Sequence, residues 1–166
     1  MDVGEVFVDA FGRVRDAVMR SVDSLSVDDL AWRADRDANT IAWLVWHLTR
    51  IQDDHVAHVA GADQVWPQWA DRFDLPFDVS DTGYAASSQD VAAVRVTADL
   101  LADYHEAVHN ATVKYVSALA PADLDRIVDT RWDPPVTLGV RLVSVVNDNL
   151  EHAGQAAFVR GLLERR

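Results

Sequence analysis

The stretch "IAWLVWHL" at Ile41–Leu48 holds seven apolar residues and one histidine, His47. An imidazole in so apolar a helical segment needs a hydrogen-bond partner or a ligand. About a hundred residues downstream, "NDNLEHAGQAAFVRG" sets Asp148 and His152 four apart. That spacing puts them on one face of a helix, otherwise built from Leu138, Leu142, Val145, Ala153 and Ala156. Two imidazoles and a carboxylate on facing helices are how helical bundles hold a divalent metal with open coordination positions. Zn²⁺ suits the set best; Ni²⁺, Fe²⁺ and Mn²⁺ also accept it. From spacing alone the bland reading stands level with this one: His47 and His152 satisfied by backbone carbonyls, Asp148 solvated. Asp54, seven residues after His47 on the same face, and Gln155 beside His152 are candidates to orient the two imidazoles from behind. His55 and His58 carry no assignment, and no catalytic residue declares itself beyond the ligand set.

A second pattern, "HEAVH" at residues 105–109, has the two-histidine, one-glutamate spacing of the zinc proteases. Projected at about 100° per residue, Leu101, Tyr104, Val108, Ala111, Tyr115 and Leu119 form the apolar stripe of that helix. His105 falls at its edge, His109 further out and Glu106 nearly opposite, so a solvated polar edge is expected. No third ligand stands at an obvious helical offset downstream.

These residues need helices to position them, and four long ones are legible. Apolar residues from Val6 to Val22 recur every three or four positions, giving a first helix at about Val3–Ser24. "SVDDL" follows, with Ser26 and Asp29 spaced as a capping box. Asn39–Thr40 can cap the second helix, which runs to about Ala60 with Gly61 as its stop. Ser87 caps a third at about Ser88–Leu119. Thr137 caps a fourth that extends almost to the C-terminus. No strand alternation is evident, and the fold class is all-α: a four-helix bundle in one domain, residues 1–166. Between the second and third helices lies "GADQVWPQWADRFDLPFDVSDTGYAA", residues 61–86. It is too long for an idle loop and too aromatic to hang in water, so it is expected to pack over the bundle as a lid or crossover. Its length leaves room for the second and third helices to run parallel.

Composition narrows the function. A formal charge of −12 argues against nucleic acid, whose binding proteins present a basic face. No apolar run approaches the length of a membrane span, and the N-terminus lacks a signal-peptide pattern. With no cysteine, the chain has neither disulfides nor a nucleophilic thiol of its own. A cytoplasmic protein is expected. A homodimer is compatible with a bundle of this size, but no face declares itself.

"NTIAWLVWHLTRIQDDHVA", followed much later by "RWDPPVTLGVRLVSVVNDNLEHAGQAAFVRGLL", resembles the DinB/YfiT-like superfamily, and within it the branch of mycothiol transferases. The resemblance runs over essentially the whole chain. It implies a four-helix bundle with one divalent metal, held by His47, Asp148 and His152. The superfamily's commonest set is three histidines; here Asp148 stands in the first position of the fourth helix. The related mycothiol-dependent maleylpyruvate isomerases also use a carboxylate there. They carry a further C-terminal domain with no counterpart here, so the isomerase reaction is not implied. The implied activity is a metal-dependent thiol S-transferase. Mycothiol would bind the metal through sulfur, lose its proton and attack a small-molecule electrophile held under the 61–86 aromatics. Two alternatives use the same residues: a hydrolase with metal-activated water, and a non-catalytic bundle binding a small ligand.

Overall fold

The computed structural model describes all 166 residues. The chain is all-α apart from one minute strand pair, as its periodicity predicts. Helix α1 spans Val3–Val22 behind an Asp2 capping box, and a single turn, α2, spans Val27–Leu30 behind the Ser26 box. Helix α3, Ile41–Ala60, starts at Thr40, whose hydroxyl accepts from the Trp43 amide, and ends at Gly61 in the left-handed region. A short turn α4 covers Ala70–Phe73, and α5 covers Ser88–Ala93. Helix α6 runs Ala98–Val116 and α7 runs Leu138–Leu163, the latter capped by Thr137. No helix is long and apolar enough to cross a membrane.

Two local expectations need correction. The third predicted helix is not continuous: it breaks between α5 and α6. Val94 and Val96 alternate into the core while Arg95 faces solvent, the pattern of an extended segment, and Thr97 then caps a fresh helix. Strands also exist, as an antiparallel pair of β1 (Ile127–Asp129) with β2 (Val136–Thr137). Elements of three and two residues are too short to show the alternation by which strands are recognised.

Helix α3 packs against α6 and α7, and α1 packs against the same two. Thus α1 and α3 sit diagonally, as do α6 and α7. The paired residues give the directions. Gln52 meets Asn149 and His55 meets Arg141, so α3 and α7 are antiparallel. Thr49 meets His105, Gln52 meets Thr112 and Val59 meets Tyr115, so α3 and α6 run parallel. The chain must therefore return along the whole bundle between them, and residues 61–86 make that return.

Helix α3 supplies the anchors for the return, one helical turn after another. Asp53, buried, accepts from the amides of Val65 (2.9 Å) and Trp66 (2.8 Å) and from the Tyr104 hydroxyl (3.0 Å). Arg50, fully buried, lies 3.8 Å from Asp53 and donates to Gln64 and to the Asp81 carbonyl. Asp54 takes the other end of the Gln64 amide at 2.8 Å. With its backbone tied down, the segment drops Trp66 and Phe73 into the core against Trp46 and Tyr104. The expected aromatic crossover is what the structure shows.

Burial pushes the Asp53 carboxyl up, and its donors hold it back. Removing one member of such a buried pair leaves the other charge uncompensated, at a cost of about 3–5 kcal/mol. Asp53→Ala should lower the unfolding free energy by that amount in urea titrations. A loss below about 1 kcal/mol, the range of an exposed ion pair, would show that Asp53 does not anchor the crossover.

Candidate metal centre

His47 lies two turns into α3, 6% exposed, with the Trp43 ring stacked on it at 4.7 Å between centroids. Its Nδ1–H donates to the Thr82 carbonyl at 2.5 Å. That carbonyl is brought in by the same crossover, and Gly83 lets it approach. At φ +88° and with a Cβ that would lie 2.9 Å from both His47 Nδ1 and the Trp46 ring, no other residue fits position 83 without displacing its neighbours. On α7, His152 donates from Nδ1 to Gln155 Oε1 at 3.1 Å. Both Nδ1 atoms are thus spent on acceptors, so in the neutral form of each ring the proton sits there and Nε2 holds the lone pair.

The two rings meet edge to face, 4.9 Å apart. Asp148, one turn before His152, brings Oδ1 to 3.7 Å from His152 Nε2. Its Oδ2 is buried with no partner in the chain. Ligand atoms of His47, Asp148 and His152 all lie within 4.8 Å of one another, and no other trio of histidine and acidic residues gathers this way. Burial holds the His47 imidazole below its ordinary range, partly offset by the Thr82 carbonyl. It is therefore neutral at pH 7, the form that ligates.

Of the two residues expected to orient the imidazoles, Gln155 lies 3.1 Å from His152 Nδ1, and Asp54 is turned away from His47. Asp54 faces Gln64, and the group behind His47 is the Thr82 carbonyl. Helical spacing found the correct face but could not reveal that a distant backbone atom would occupy it.

Beside Asp148 opens a groove of about 410 Å³, lined by His55, Tyr84, Asp129, Trp132 and Arg141 among others. Tyr84 and Trp132 are 88% and 65% exposed. On the far side of Tyr84, a smaller pocket of about 120 Å³ is walled by Trp43, Trp46 and Phe77. Trp66 and Trp69 contribute to neither lining.

The "HEAVH" segment is not the solvated edge expected. His105 is fully buried, and its Nδ1 lies 2.9 Å from the Thr49 hydroxyl. That hydroxyl already donates to the Val45 carbonyl, so His105 Nδ1 must be the donor. A single-stripe projection failed here because α6 is covered on two sides, by α1 and by α3. Glu106 pairs with Arg15 at 2.6 Å, on the α1 side.

The structure is thus a helical bundle that brings His47, Asp148 and His152 together, and comparison with known proteins supplies its family. The sequence profile of the mycothiol-S-transferase family matches residues 6–165, and the chain belongs to that family. Among solved structures it is similar to a conserved protein from Enterococcus faecalis. That likeness has a TM-score of 0.90 and 27% identity, covering 100% of this chain and 99% of the other. A DinB-like protein from Bacillus cereus shares the fold at TM-score 0.63 and 17% identity, over 93% and 89% of the two chains. No curated protein matches the sequence.

Burial holds the His105 imidazole down at about 3, against an ordinary 6.5. The folded state therefore binds this proton more weakly than the unfolded one. Its stabilising contribution is present above pH 6.5 and is lost as pH falls from there towards 3. At about 1.4 kcal/mol per pH unit, the loss between pH 7 and pH 5 is about 2 kcal/mol. His105→Leu should lack that part of the acid limb when urea stabilities of the two proteins are compared across this range. Parallel pH profiles would show that His105 is not buried neutral.

Proposed function

We propose that this protein is a metal-dependent S-transferase that joins the sulfur of mycothiol to a small electrophile in the cytoplasm. The observation that carries the reading is the gathering of ligand atoms of His47, Asp148 and His152 within 4.8 Å of one another, with Asp148 Oδ2 buried and without a partner. An unpaired buried acceptor is costly, and a cation is the partner this donor set fits. His47 and His152 through Nε2, with Asp148 through oxygen, would hold a divalent ion, Zn²⁺ foremost. Such an ion supplies Lewis acidity, which favours loss of the proton from a thiol whose usual pKa is near 8.5. The nucleophile must come from outside, since the chain has no cysteine.

The chain's own residues do the rest. Thr82 and Gln155 fix the imidazole orientations, Trp43 covers one face of His47, and the groove beside Asp148 gives the co-substrates access.

The test is elemental analysis of wild type, His152→Ala and Gly83→Ala after equal exposure to divalent metals, followed by a mycothiol transfer assay. Near-stoichiometric metal is expected in the wild type and is lost in His152→Ala together with activity. In Gly83→Ala, displacement of the Thr82 carbonyl should weaken metal binding about 10–100-fold, the usual cost of disturbing a ligand's own hydrogen bond. Metal retained equally in His152→Ala would move the site elsewhere. Absence of metal in all three would make the trio ordinary core, and thiol-independent turnover would make the protein a hydrolase.

A further inference from the structure

His55 lies two turns beyond His47 on α3 and lines the groove beside Asp148. Its Nδ1 lies 2.9 Å from an Arg141 guanidinium nitrogen. Arginine donates and cannot accept, so the imidazole nitrogen must be the acceptor, and a proton on it would face an N–H head on. The Asp54 carboxylate is 3.9 Å from the same nitrogen, beyond hydrogen-bond reach. Arg141 is itself held, donating to Asp129 Oδ2 at 3.0 Å, and Asp129 is fixed by Arg131. The proton of neutral His55 therefore sits on Nε2, where it has no acceptor within the chain. Burial and the Arg141 charge together hold the imidazole below its ordinary range, so the ring stays neutral at pH 7. His55, held as a neutral Nε2–H donor, thus lines the same groove as Asp148 of the proposed metal site.

We infer that His55 Nε2–H is the donor for a substrate oxygen, the oxygen on which the electrophile's displaced electron pair ends. This rests on the S-transferase reading and deepens it by naming the substrate class: conjugated carbonyl compounds or epoxides, rather than alkyl halides. With a conjugated carbonyl, the sulfur lone pair forms the C–S bond at the β-carbon and the displaced π electrons move onto the carbonyl oxygen. The proton released by the thiol then returns to the α-carbon. With an epoxide, a C–O bond breaks, its pair stays on oxygen, and the same proton neutralises it. Either way thiol and electrophile sum to one thioether, with no further reactant. A departing halide is a weaker, more diffuse hydrogen-bond acceptor than an alkoxide or enolate oxygen, so it gains less from one directed N–H. Arg141 and Asp129 are positioning residues: they decide which nitrogen of His55 carries the proton.

The test compares metal-loaded wild type, His55→Ala and His55→Gln with mycothiol and three electrophiles: cyclohexenone, styrene oxide and benzyl chloride. In His55→Ala, kcat/KM should fall about 10²-fold, the usual loss on removing one such donor, for cyclohexenone, styrene oxide or both. The affected substrate identifies the source of the oxygen. His55→Gln, which keeps an N–H, should recover part of the loss, while benzyl chloride transfer is unchanged or absent throughout. Long-range ¹H–¹⁵N spectra at pH 7 should show Nε2 protonated and Nδ1 bare in the wild type, and a tautomer mixture in Arg141→Met. A proton on Nδ1 in the wild type overturns the inference. So do transfer to cyclohexenone and styrene oxide unaffected by His55→Ala, benzyl chloride transfer with neither oxygen electrophile used, or an equal fall with all three. If loaded wild type transfers mycothiol to none of them, the S-transferase reading falls and takes the inference with it.

Discussion

The fold turns on the Asp53 carboxylate. Because α3 and α6 run parallel, the chain between them must travel back the length of the bundle, and nothing in a 26-residue connection fixes its path except what it meets. Asp53 meets it first, taking two consecutive amides at Val65 and Trp66. Arg50 takes the Asp81 carbonyl at the other end, and His47 the Thr82 carbonyl beside it. Spaced three apart along one helix, these residues hold the returning strand of chain like rungs. Burying two ions is expensive, and it is tolerable when their lone pairs and protons are nearly all used. Here Asp53 is satisfied by four groups, while one Arg50 nitrogen remains without a partner.

A second polar layer sets the height at which the helices face one another. Gln52 donates to Thr112 on α6 and accepts from Asn149 on α7, and all three are buried. Above and below it lie two separate apolar clusters, one around Leu48, Tyr104 and Ala153, the other around Val56, Val116 and Val145. Apolar packing alone tolerates sliding and repacking. A hydrogen-bonded layer does not, because a shifted register strands buried amides. Asn149 adjoins Asp148, so the layer that locks α7 against α3 also fixes the carboxylate opposite His47.

The helices were legible because their ends are written in side chains: Ser26, Thr40, Ser87 and Thr137 all cap where they were expected to, and Gly61 closes α3. The break before α6 was legible in principle from the alternation of Val94, Arg95 and Val96, but three residues are little signal beside a long helical period. His47, Asp148 and His152 stood out because they interrupt apolar stretches, and the structure brings them together. What orients His47 left no trace, since a backbone carbonyl has no sequence signature. Burial of His105 was hidden for another reason: the pattern of one helix shows its own stripe and not how many neighbours cover it.

The histidines show how far a neighbour, rather than the residue, sets chemical role. In His47 and His152 the Nδ1 atom meets an acceptor, so Nε2 is bare and can ligate. In His105 it also meets an acceptor, Thr49, but the bare Nε2 is sealed in the core without a partner. Its tautomer is the same, and its consequence is a sensitivity to acid. In His55 the Nδ1 atom meets a donor, and the polarity reverses: Nε2 carries the proton and can only give a hydrogen bond. A lone-pair site and a donor site on the same helix, eight residues apart, are what a reaction needs when a nucleophile must be held at one point and a growing negative charge received at another. The difference between them rests on one guanidinium from α7 and one carbonyl from the crossover. Both are placed by the same packing that makes the bundle.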